Sequence, residues 1–287
     1  MAPVPDADAH ASDAPEDTDP EMMDDDGAEP SERQPLYLPL SPLGANRIRL
    51  VTVAAVLVSA AALLLGALGG FGTMLAVTLV LCLVLAWAWP VLGGAYTPDS
   101  TALALAISAV AIVLTALRED LRWTAAAVAL GIVLSFMTQL VRRTGREGLV
   151  LTLLAAFGGL VPMASATTAI GAADEALGRA YIVVAMASVA AAVVADILAR
   201  PRRLSPYLGL VALVASIVGA VVAGVLLDEF GPWAALGVGA AVGSLSWSFR
   251  RVLAMQPAMV TTRGQIAAGM GSVLLTGGVV HLFTLVS

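Results

Sequence analysis

Beyond residue 49 the chain is a succession of apolar runs, each long enough to cross a lipid bilayer and parted from the next by a few polar residues. A helix rises ~1.5 Å per residue, so about 20 apolar residues span the ~30 Å of hydrocarbon in a membrane. Nine such runs stand at 50–69, 71–92, 100–117, 123–141, 149–170, 180–199, 207–227, 233–249 and 266–286. A soluble core cannot hide them all. Of the 287 residues, 59% are hydrophobic and 13% charged, against roughly 25% charged in soluble globular domains. The predicted fold class is all-α: a polytopic transmembrane helical bundle of nine spans over 47–287, behind a tail at 1–46.

Arginine placement tests that count and orients it. All fifteen basic residues are arginine, and basic residues concentrate in cytoplasmic loops. With the N-terminus cytoplasmic, nine crossings put Arg33, Arg47, Arg49, Arg142, Arg143, Arg146, Arg200, Arg202, Arg203, Arg250, Arg251 and Arg263 inside, and only Arg118, Arg122 and Arg179 outside. Dropping or adding a span would move the later clusters to the wrong face. The expected arrangement is therefore N-terminus cytoplasmic and C-terminus outside. The expected location is a bacterial cytoplasmic (inner) membrane, because arginine-only, Ala-, Val- and Gly-rich usage points to a GC-rich bacterial genome. Gly69-Gly70 joins the first two runs in a tight hairpin, and the eighth run is short and Gly-rich.

The net charge of −6 is segregated. Residues 1–46 hold twelve acids and one arginine, with almost no large apolar residue before Leu36. Such a segment buries too little apolar area to offset the entropy of ordering, so a disordered acidic cytoplasmic tail is expected. It lacks the basic start of a signal peptide. Asp24-Asp25-Asp26 reads as a solvated charge run. Cys82, the single cysteine, excludes an intrachain disulfide and a Cys-clustered metal site; in an apolar run it is a small packing residue.

Few residues carry chemistry. Asp196 lies inside the sixth run, four residues before Arg200. An ionisable group within a span is a functional candidate by default, and its bland alternative is an interfacial i,i+4 pair with Arg200. Arginine forks bind phosphate, so the candidate polar or lipid-phosphate site is Asp196, Arg200, Arg202, Arg203, Ser205, Arg250, Arg251 and Arg263. The bland alternative for the arginines is topology and generic contact with anionic lipid. Arg118, Glu119, Asp120 and Arg122 read as local salt bridges, Glu147 as a cytoplasmic acid beside Arg146, and His281 as a packed or lipid-interface histidine of the last span. Pro162, after Gly158-Gly159, is expected to kink the fifth span. The small faces at Gly237, Gly239, Ala240 and Gly243, and at Gly264, Ala268, Gly269 and Gly271, are expected to pack closely. No phosphate-binding loop, dinucleotide fingerprint, zincin motif or nucleophile elbow occurs, no internal repeat stands out, and nothing suggests nucleic acid. No cofactor and no metal are expected.

Asp196 with Arg202-Arg203-Leu204-Ser205-Pro206, the run Gly243 to Arg251 and Thr262-Arg263-Gly264-Gln265 faintly resemble motifs of the CDP-diacylglycerol synthase (phosphatidate cytidylyltransferase) family, over about a quarter of the chain. The resemblance implies a helical membrane fold with a cytoplasm-facing site built from acids and divalent metal. Where the family carries acids, this chain has Ser244, Trp247, Thr262 and Gln265. Neutral residues there do not hold Mg²⁺ against a triphosphate, so the resemblance implies a non-catalytic relative that keeps a lipid-binding groove. Three readings stand: a non-catalytic protein of lipid or envelope handling, or a membrane-complex subunit, with lipids and a membrane-protein partner; a cytidylyltransferase-like enzyme; and a small-solute or ion permease, motivated by Asp196, Pro162, Ser165, Thr167 and Thr168.

Overall fold

The computed structural model describes residues 49–118, 120–141, 147–198, 207–227 and 230–287, without the side chains of residues 196 and 198. The acidic tail and the loops with Arg142, Arg143, Arg146, Arg200, Arg202, Arg203 and Ser205 lie outside the described residues. The regular structure among the described residues is all helical, α or short 3₁₀. The helices are α1 (Leu50–Leu68), α2 (Phe71–Leu92), α3 (Pro98–Leu114), α4 (Leu121–Leu140), α5 (Leu149–Thr168), α6 (Ala176–Leu198), α7 (Leu208–Leu226), α8 (Pro232–Leu253), α9 (Thr262–Leu274) and α10 (Gly277–Val286).

Local chemistry sets the ends. Gly70, at φ +82°, makes the α1–α2 turn with a backbone that side chains other than glycine rarely adopt. Pro98 starts α3 with its ready-made φ, and Asp99 follows in the first turn, where the helix dipole favours an acid. Asp120 caps α4 by accepting from the Arg122 N–H, and Thr261 caps α9 by accepting from the Gly264 N–H.

Among the described residues eight helical stretches are long and apolar enough to cross a membrane, with α9 and α10 together (Thr262–Val286) forming the last. The other long helix, α8, is the eighth run extended by one turn at its end. Its second half carries Ser244, Ser246, Ser248, Arg250 and Arg251, which lower its apolarity. The ninth run begins four residues earlier than its apolar stretch, and is interrupted at Leu275-Thr276 instead of running through. Pro162 lies within a single continuous α5, as Pro90 does within α2.

α9 is the hub. It packs on α1, α2, α5 and α8 and is buried from Ala267 to Leu274. Its Gly, Ala and Ser positions let the neighbours approach: a methyl on Gly269 would meet Thr52 O at 2.7 Å and the Ala55 Cβ at 2.8 Å, both on α1. The flanks are two mutually packed triplets, α3–α4–α5 and α6–α7–α8. On the peripheral α4, the buried stripe is Thr124, Ala127, Gly131, Ser135 and Gln139, while Leu130, Val133, Phe136 and Leu140 face outward. On α7 the stripe is Ala212, Ser216, Ala220, Ala223 and Gly224, with Leu210, Val214, Val218 and Val222 outside. Small and polar inside, large and apolar outside is the pattern of helices packed in lipid, where burial gives no hydrophobic gain and close fit holds the bundle. Exposed Trp123 and Trp233 stand at the starts of α4 and α8, while Trp87 and Trp247 stand near the ends of α2 and α8.

The two triplets share a sequence register. Pro98, Ser108, Gly131, Arg142 and Arg143 recur 108 positions later as Pro206, Ser216, Gly239, Arg250 and Arg251. The proximity recurs with them, though the bonding differs. A methyl on Gly131 of α4 would meet the Ser108 hydroxyl of α3 at 2.9 Å, and one on Gly239 of α8 would meet the Ser216 carbonyl of α7 at 3.2 Å; Ser108 donates to Ala104 O of its own helix, Ser216 to Gly239 O across the pair. Helix pairs α3–α4 and α7–α8 thus share a serine-against-glycine approach.

Candidate functional site

The described candidate residues gather at the end of the bundle where α2 passes to α3 and α8 to α9. Arg250 and Arg251 occupy the last turn of α8, where cations complement the helix dipole. Arg250 is only 8% exposed, and its Nη1 donates to the Ser246 hydroxyl one turn back, at 2.7 Å. Arg251 lies over the Trp247 ring, 6.0 Å from its centroid. α6 packs on α8, and the backbone of Asp196 lies in the last turn of α6.

Arg263 is committed elsewhere. Its Nε and Nη2 both donate to the Trp87 carbonyl of α2, at 2.8 and 2.5 Å. Its guanidinium lies 4.7 Å from the centroid of the Trp87 ring, and Nη1 is 3.7 Å from Asp99 of α3. Arg263 therefore staples α9 to the α2–α3 turn. Nearby, the Tyr96 hydroxyl donates to Glu147 at 3.3 Å, and the Tyr96 N–H donates to the Thr152 hydroxyl at 3.1 Å. The local ion pair expected beside Arg118 is present between Asp120 and Arg122, at 3.6 Å on an exposed surface; Glu119 lies outside the described residues.

The motif positions that resemble the cytidylyltransferase family have local duties. The Ser244 hydroxyl donates to Ala241 O, the Gln265 amide donates to Met259 O, and a methyl on Gly243 would overlap the Ser216 side chain. Among the described residues no three His, Cys, Asp or Glu side chains come together as a metal site.

Two interior polar groupings go beyond what the sequence offers for Ser165, a member of a polar cluster, and for Gly239, part of a small packing face. The Ser216 hydroxyl of α7 donates to the Gly239 carbonyl of α8 at 2.6 Å and accepts from the Ser188 hydroxyl of α6 at 2.5 Å. At the interruption of the last span, one hydroxyl serves two backbone groups. Ser165 of α5 donates to Leu275 O at 2.6 Å and accepts from the Gly278 N–H at 2.8 Å. Below both, Trp89 locks four helices: its indole donates to Ala155 O of α5 at 2.9 Å, it stacks on Phe249 of α8 at 6.1 Å, and a methyl on Gly271 of α9 would meet it at 2.9 Å. The signal for Ser188, Ser216 and Trp89 was a common residue type in an apolar run, so spacing alone singles out none of these three.

Comparison with known protein families, with curated proteins and with solved structures finds no match to this chain.

Proposed function

We propose that this integral polytopic membrane protein is non-catalytic, and that it holds the phosphate of an anionic lipid at the cytoplasmic ends of α6, α7 and α8 in a bacterial inner membrane. The carrying observation is Arg250, a guanidinium buried to 8% exposure in the last turn of α8 with Arg251 beside it. A lipid phosphate accepts from arginine forks, and in this orientation the last turn of α8 lies at the level of the anionic headgroups of the inner leaflet. Asp196, Arg200, Arg202, Arg203 and Ser205 complete the proposed site, while Arg263 serves as the staple that fixes its floor.

This reading counts α8 as a ninth crossing, with the N-terminus inside and the C-terminus outside. Its 22 residues reach about 33 Å. Trp233 and Trp247 mark its ends as aromatic residues mark membrane interfaces, and Arg250 and Arg251 fall on the inner side with the other basic clusters.

Native mass spectrometry of protein extracted gently from its own membrane tests the reading. A retained phospholipid that is lost on Arg250→Gln or Arg203→Ala is the expected result. A co-purified protein subunit with no specific lipid overturns it in favour of an accessory role in a complex. Turnover of CTP and phosphatidate with Mg²⁺ would replace it with the cytidylyltransferase reading. A permease reading is favoured by the interrupted last span, because broken helices line transport sites. Proton flux into vesicles carrying the protein, abolished by Asp196→Asn, is its test.

A further inference from the structure

The last span is covalently continuous but not helically continuous. After the Leu275 N–H, which still bonds Gly271 O, the ladder stops: the Thr276 N–H tightens to Val273 O, and the Val279 and Val280 N–H groups both turn back to Thr276 O at 3.1 Å, leaving the Leu275 carbonyl and the Gly278 N–H without partners in their own helix. Unpaired backbone is tolerated at membrane depth only inside protein or against a cavity. Here both conditions hold. Gly277 lies against the α5 backbone so closely that a methyl would overlap Ser165 O. Beside the joint is a cavity of about 10 Å³, the room of a single water, walled by Leu63, Met74, Ile182, Met186 and Val280.

Two further observations bear on α10. Its packed position leaves the buried His281 Nε2 with no hydrogen-bond partner, a cost that movement toward water or headgroups would relieve. And the two backbone groups freed at the joint are both held by one side chain, Ser165, so a single release frees both together.

We propose that α10 is a hinged half-span that turns at Leu275-Thr276 and is held closed by the Ser165 hydroxyl. The glycine pair supplies a joint without side chains, the small cavity leaves the packing beside it incomplete, and the two Ser165 hydrogen bonds oppose the unsatisfied imidazole. The device is independent of a phosphate at the opposite end of the bundle.

The test is thiol accessibility in liposomes. Val280→Cys, 1% exposed in the packed state, is labelled with a membrane-impermeant methanethiosulfonate reagent, and Val184→Cys, buried in α6, is the control. Cys82, also buried, supplies the background. Adding Ser165→Ala is expected to speed labelling of Val280→Cys about tenfold, from the loss of two interior hydrogen bonds, with Val184→Cys unaffected. Adding His281→Leu is expected to slow it about fivefold, since the packed state no longer carries an unpaired nitrogen. Equal labelling with and without Ser165→Ala, or an equal rise at Val184→Cys, overturns the hinge. Should Ser165→Ala fail to fold, unchanged labelling in His281→Leu overturns it alone.

Discussion

Replacing Gly239 by alanine sets two rules against each other. In an isolated helix the change is favourable by about 1 kcal/mol, because alanine is the better helix former. In this bundle the new methyl would stand 2.7 Å from the Ala220 Cβ, 3.0 Å from the Ile217 Cα and 3.2 Å from Ser216 O, all on α7. Carbon atoms rest at about 3.5–4.0 Å, so α8 must retreat from α7 by roughly 1 Å. That retreat stretches the Ser216–Gly239 hydrogen bond, 2.6 Å at rest, past the limit of a real bond. Overpacking costs about 1–3 kcal/mol and an interior membrane hydrogen bond about 0.6 to 1.7. The clash wins, and Gly239→Ala is expected to destabilise the fold by about 2 kcal/mol in SDS-driven unfolding from mixed micelles. Removing the opposing methyl with Ala220→Gly should recover at least about 1 kcal/mol of that loss in the double variant, a coupling expected of residues in contact. Gly72→Ala is the control, since its methyl would meet nothing within 4 Å, and it should be neutral or stabilising. A Gly239→Ala protein as stable as the parent, or a double variant whose losses simply add, would refute the close-packing argument.

Other outcomes follow from the same contacts. Trp89→Phe keeps a ring against Phe249 but loses the donor to Ala155 O; unfolding should show a loss of about 1 kcal/mol, against about 3–5 for Trp89→Ala. Arg263→Lys should cost about 1 kcal/mol, since an ammonium cannot reproduce the planar fork on Trp87 O. Asp99→Asn should cost less than about 0.5 kcal/mol, because its carboxylate is 83% exposed and weakly paired, so 0.5 M salt should leave the Arg263 effect almost intact.

The spans were the legible part, because length and apolarity are summed over some twenty positions and single residues hardly alter the total. The break at Leu275-Thr276 was not legible. Thr276-Gly277-Gly278 is compatible with a continuous membrane helix, and only a hydroxyl 110 residues away on α5, Ser165, makes the interruption affordable. The shared register of α3–α4 and α7–α8 lay in the sequence all along, but Pro, Ser and Gly matches acquire meaning only once Ser108 and Ser216 are seen against equivalent glycines. The candidate site was legible as a charge pattern and not as geometry. Arg250 and Arg263 look alike on paper, yet one lies buried along its own helix while the other clasps a carbonyl of α2. What separates them is the neighbour each meets, and that neighbour is remote in the chain.

The tryptophans have an optical consequence. Trp123 and Trp233 lie at one end of the bundle, Trp87 and Trp247 toward the other, and Trp89 is buried at 5% exposure against Phe249. Emission from the three exposed indoles, Trp87, Trp123 and Trp233, should be quenched by lipids brominated near the headgroup and spared by lipids brominated at the chain terminus, whereas Trp89 should escape both. The molecule thus carries its own depth gauge, and its intrinsic fluorescence can register how it sits in a bilayer without an added dye.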